Sequence, residues 1–186
     1  MAFIGLTKPT VAVLEEGKEG VAYSKGFRFG KAIEVEISPK YADTSVYKDV
    51  NDLDYGQQLE YADISLNTAT IPDRAEEIIF GHAVSAAEGS TVIRYRTGDE
   101  AGYVGFGISA EEKVDGMKKY VAIWLYKVRF YEDSQSYKTK EDSIDYITPS
   151  ISGRILPITS GEWKEKRIFT TKEQALAWLD KMAGLN

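Results

Sequence analysis

Between residues 119 and 131 the chain carries a run in which apolar side chains occupy both alternating sets of positions. Tyr120, Ala122, Trp124 and Tyr126 fall on one set, and Val121, Ile123 and Leu125 on the other. A strand with one wet face alternates apolar with polar residues, so a strand apolar on both faces has to be covered twice. Any fold for this sequence must therefore supply a layer on each side of this strand. Either the chain's own elements supply both layers or another subunit supplies one, and periodicity alone leaves both open.

The neighbouring segments are also strand-like. Residues 32–38 alternate Ile33, Val35 and Ile37 with Glu34 and Glu36, and Pro39 is expected to stop that strand. Further strands are expected at 11–14, 21–23, 58–66, 92–96, 103–108, 143–147, 150–156 and 163–169. The 12 Tyr, 7 Phe and 3 Trp favour strands over helices. Two helices interrupt the pattern. A short central one, 72–80, starts at Pro72 and stops at Gly81. A C-terminal one, 171–183, opens on Thr171 with Gln174 three residues later, carries a stripe of Leu176, Leu179 and Ala183, and ends at Gly184. The expected fold is mainly β (α+β), a β-sandwich or partly closed barrel with these two helices. With 186 residues, and no linker or repeat, one domain spanning 1–186 is expected.

Two polar segments stand out. Residues 39–56 carry Lys40 and Lys48 against Asp43, Asp49, Asp52 and Asp54, with Tyr41, Tyr47 and Tyr55, and lack clear periodicity. They read as a long polar loop, and connections this long are usually functional or disordered. Residues 132–142 read as a solvated hairpin tip.

Counting removes much chemistry. No cysteine is present, which excludes disulfides, thiolate metal sites and thiol nucleophiles, and the solitary His82 excludes sites needing two imidazoles from one chain. The 23 Lys and Arg against 29 Asp and Glu leave a net charge of −6, opposite to the footprint of a duplex-binding protein. The apolar stretch 121–126 is too short to span a bilayer and Lys8 interrupts the N-terminal apolar patch, so a soluble protein folded in the cytosol is expected.

No catalytic motif emerges. Gly102, Gly105 and Gly107 lack the spacing of a dinucleotide loop and read as close-packing strand glycines. Asp49, Asn51 and Glu60 match three positions of an EF-hand loop, but Asp54 stands where that loop needs glycine, leaving a solvated acidic segment as the better reading. His82, just after Gly81, reads as a helix cap or surface residue. Lys164, Lys166 and Arg167 form a small basic cluster that reads as a solvated face or as salt bridges to a neighbouring subunit.

A series of short motifs then runs along nearly the whole chain. It begins with Ile4-Gly5-Leu6, the stretch 26–31 leading into Gly30-Lys31-Ala32, the segment around Tyr47-Lys48-Asp49, and Gly105-Phe106-Gly107. It continues with 120–130 ending in Tyr126-Lys127-Val128-Arg129-Phe130, then Thr139-Lys140-Glu141-Asp142-Ser143 and Thr148-Pro149-Ser150-Ile151-Ser152-Gly153. In this combination and order the chain resembles the major tail protein family, the tail-tube subunits of long-tailed, non-contractile bacteriophages.

The resemblance implies a structural virion protein of the tail-tube fold, with no catalysis, cofactor or metal. Its subunits would form rings, usually hexameric, that stack into a tube through which DNA passes without specific binding. Its partners would be copies of itself, a tape measure protein, and tail terminator or baseplate proteins, with no membrane. It would be assembled in the bacterial host cytoplasm and reside in the virion tail. Candidate contacts between subunits or rings are Tyr41, Tyr47, Asp49, Asp52, Asp54 and Tyr55 from the polar segment, and Trp124 and Tyr126 from the doubly apolar strand. Three other readings remain: a ring subunit of a contractile tail or secretion tube, a carbohydrate-binding module stacking sugars on Tyr41, Tyr47 and Tyr55, and a hydrolase using paired carboxylates.

Overall fold

The computed structural model describes residues 3–7, 9–18, 20–48, 52–114, 116–133 and 148–185. The strands are β1 (Phe3–Ile4), β2 (Thr10–Gly17), β3 (Gly20–Arg28), β4 (Ala32–Lys48), β5 (Asp52–Thr68), β6 (Ala83–Ala87), β7 (Ser90–Arg94), β8 (Val104–Val114), β9 (Met117–Glu132), β10 (Ser150–Leu156) and β11 (Lys164–Phe169). Helix α1 (Asp73–Ala75) runs directly into a π-helical turn (Glu76–Phe80), and α2 (Lys172–Met182) closes the chain. The protein is mainly β, an antiparallel sandwich-like fold that does not close into a barrel.

The main sheet runs β3-β2-β8-β9-β10-β5-β4, and β6 and β7 pair separately as a hairpin. β9 organises the sheet. One edge pairs with β8, while the other is shared end to end, β10 taking residues 127–132 and β11 residues 120–125. The register against β8 slips by one residue between Phe106↔Leu125 and Val104↔Val128. Such a bulge swaps the side of the sheet on which alternate residues lie. Leu125, Val128 and Phe130 therefore all reach the same core, although their numbers change parity.

That core joins β9 to Val11, Phe27, Phe29, Ile64, Leu66, Val104, Phe106, Ile151 and Ile155, and is capped by Ala75, Ile79 and Phe80. The opposite face of β9 presents Ala122, Trp124 and Tyr126 to Ala175, Trp178, Leu179 and Ala183. Both layers over the doubly apolar strand thus come from the chain itself, and α2 is one of them. Trp124 is fully buried and Tyr126 is 9% exposed, which removes both from the candidate subunit contacts. Leu179 and Trp178, each worth about 1.5–3 kcal/mol on burial, anchor the helix. Its start is capped as expected: the Gln174 backbone N–H donates to Thr171 Oγ1 at 3.3 Å.

Three expectations are corrected. The polar segment 39–56 is not a loop, because β4 and β5 continue through it and pair from Ala32↔Thr68 out to Lys48↔Asp52. Pro39 does not stop its strand. It pairs opposite Ala62 in the outermost strand of the sheet, where a missing N–H is tolerated because alternate edge N–H groups lack a strand partner anyway. The central helix lies where Pro72 and Gly81 bound it, but only 73–75 are α-helical and 76–80 wind as a π-turn. β1 and β6 were not anticipated. The expected strand 143–147 lies outside the described residues, as does most of the expected tip 132–142.

Candidate functional site

Two places carry features that the cores do not require. The first is the outer half of the β4–β5 hairpin. On its other side β5 pairs with β10 only from Ala62 to Asn67. From Lys40↔Tyr61 outward to Lys48↔Asp52, β4 and β5 pair only with each other among the described residues. Each 17-residue strand of the hairpin spans about 55 Å, and its outer half is a two-stranded ribbon.

Register sorts the ribbon into two sets of positions. Tyr41↔Leu59, Ser45↔Tyr55 and Tyr47↔Leu53 are opposed pairs on one alternating set, while Val46↔Asp54 and Lys48↔Asp52 lie on the other. Tyr41, Tyr47 and Tyr55 thus share one set, and Asp52 and Asp54 share the other. A bulge between Lys40 and Tyr41 marks where the ribbon leaves the sheet. At that root Tyr41 is 53% exposed. Asp49 and Asn51 lie outside the described residues, and Asp52 to Glu60 is extended strand with none of the turn geometry of a cation loop.

The second place is a cluster of the buried Glu76 and His82 with the half-buried Glu132, whose ligating atoms all lie within 4.8 Å of one another. The backbone explains how the first two meet. Gly81 adopts φ 76°, and the Gly81 and His82 N–H groups both donate to the Glu76 carbonyl. A Cβ at Gly81 would collide with the Glu100 carbonyl, so the position needs glycine for space as well as for φ. His82 Nδ1 then sits 2.9 Å from Glu76 Oε2, with its ring 4.2 Å from that of Tyr95 and 5.5 Å from that of Phe80.

Glu132, the last residue of β9, completes the group. Its Oε1 is buried and lacks a hydrogen-bond partner. Burial pushes the Glu132 carboxyl above the usual carboxylate range; the imidazole of His82 opposes this and the charge of Glu76 adds to it. His82 is therefore neither a surface residue nor a simple cap, because its side chain is turned inward onto two carboxylates. The adjacency of Gly81 and His82 is visible in sequence, but the pairing with Glu132 depends on a contact 50 residues away.

Elsewhere Glu112 is also buried with Oε1 lacking a partner, while Glu16 and the basic cluster are held by structural contacts. Glu16 accepts from Lys127 Nζ at 2.5 Å and from the Thr159 backbone N–H and hydroxyl at 2.9 and 2.7 Å. In the basic cluster, Arg167 bonds Glu165 at 2.7 Å and lies over the Trp178 ring, and Lys164 lies over the Trp163 ring. Comparison with protein-family models and with curated proteins finds no match.

Proposed function

We propose that the protein is a structural subunit that assembles with copies of itself into rings stacking into a tube, as tail-tube subunits of long-tailed phages do. The observation that carries this reading is the β4–β5 ribbon, a long paired arm with no third strand among the described residues and with tyrosine and leucine concentrated on one set of positions. An isolated two-stranded ribbon is marginal in water and gains stability when a third strand or a packed face covers it. A neighbouring copy supplies that cover in a ring or between rings. The net charge of −6 suits a conduit past which DNA phosphates slide without sticking.

The test is negative-stain electron microscopy of purified protein across a concentration series, with light scattering alongside. Rings or tubes of uniform diameter are expected, with scattering rising above a threshold concentration. The ribbon also favours one second reading, since Tyr41, Tyr47 and Tyr55 at alternating positions match a stacking platform for a glycan. Monomers at every concentration together with retention on a glycan array would replace the assembly reading with that one.

A further inference from the structure

The Glu76, His82 and Glu132 cluster plays no part in the assembly reading, yet it is built as a site. Glu76 is 6% exposed and His82 9%. Two carboxyl groups converge on one imidazole, and polar groups held out of water are costly unless paired. The 2.9 Å contact between His82 Nδ1 and Glu76 Oε2 uses one carboxylate. Glu132 Oε1, buried and without a partner, is left over.

We propose that these three side chains bind one zinc-class divalent cation, which ties the π-turn to the end of β9. Metal–ligand bonds of about 2.1 Å place neighbouring ligand atoms on one ion about 3.0–3.4 Å apart. His82 Nδ1 and Glu76 Oε2 are already 2.9 Å apart, and rotation of the Glu132 side chain closes the rest of the 4.8 Å spread. An imidazole in the set selects for first-row transition ions over Mg²⁺ and Ca²⁺, which take all-oxygen shells. Three protein ligands leave the fourth tetrahedral position to water. The π-turn is what makes the set possible, since its wider winding brings the Glu76 side chain back over His82.

The experiment uses the full chain, stripped with chelator and dialysed. It is titrated with Zn²⁺ by calorimetry and with Co²⁺ by visible absorption. One ion per chain and the visible band of four-coordinate Co²⁺ are expected. At zinc a hundredfold above Kd, the thermal midpoint rises by about 5–10 °C, and Mg²⁺ gives no shift. Glu132→Gln and His82→Asn each weaken zinc binding by more than about tenfold, whereas Glu88→Gln, at an exposed turn, leaves it unchanged. No heat and no Co²⁺ band from the unaltered protein would overturn the proposal, and so would undiminished binding by Glu132→Gln. The wild-type titrations decide the matter even if His82→Asn does not fold.

Discussion

Glu16 shows how one exposed-looking acid can hold three separate elements. It sits near the end of β2, yet its carboxylate accepts from Lys127 at the bulge of β9 and from both polar groups of Thr159 in the turn between β10 and β11. The Lys127 ammonium, then the Thr159 hydroxyl and amide, lower its pKa to about 2 from the ordinary 4.5. A carboxyl whose folded pKa is depressed adds stability above its unfolded value and loses it as pH falls through the folded one. Glu16→Gln should therefore cost about 1 kcal/mol at neutral pH, discounted for solvent screening, or about 2–4 °C in Tm. The difference from wild type should shrink as pH falls from 4.5 towards 2. Thermal melts of both proteins across that range check it, and a pH-independent difference would show that the clasp contributes only packing. Nothing local marks Glu16 in the sequence as different from Glu15 beside it. What separates them is contact with residues more than a hundred positions away, and a separation of 50 positions likewise hid Glu132 from His82.

Among the elements, those whose identity depends on local pattern were legible. The α2 helix follows from Thr171, Gln174 and the Leu176, Leu179 and Ala183 stripe, and β10 occupies the expected 150–156. The glycines of β8 were legible as close-packing residues, and the structure shows what they pack against. A Cβ on Gly105 would lie 2.5 Å from Tyr23 Cε1 and closer still to the Trp124 ring, and one on Gly107 would lie 2.7 Å from Trp124 and 2.8 Å from Leu179. The two glycines form a shelf on which the indole lies beneath α2, with Tyr23 edge-on at 5.0 Å. Gly105→Ala should force the indole out of place and cost about 1–3 kcal/mol, a fall in Tm of about 2–12 °C. Gly98→Ala, with nothing within 4 Å of the added methyl, should change it by less than about 0.5 kcal/mol. Equal effects of the two substitutions would show that backbone entropy, not the shelf, sets the cost. The hairpin reads as a loop in sequence because beyond Ala62 no third strand among the described residues joins it, and its residues there follow no clear hydrophobic period.

At the scale of the molecule the same absence becomes informative. Outward of Ala62, β5 has no strand partner other than β4 among the described residues. If the ribbon exists for a neighbour, the fold should not need it. The pairs that tie β5 to β10 stop at Ala62, so removing the outer ribbon breaks no strand pair between β5 and β10. Excising residues 42–58 and joining Tyr41 to Leu59 through Asn-Gly, the two-residue turn suited to a directly opposed pair, should leave Tm within about 4 °C of wild type. The same variant should stay monomeric at concentrations where the full chain forms rings or tubes. In the intact protein, amide hydrogens of the ribbon should exchange fast in the monomer and become protected on assembly, because only assembly adds a covering layer. An excised variant that no longer folds would make the ribbon part of the core. One that folds and still polymerises would move the contact surface elsewhere on the sheet and leave the tyrosines of the ribbon to the glycan reading.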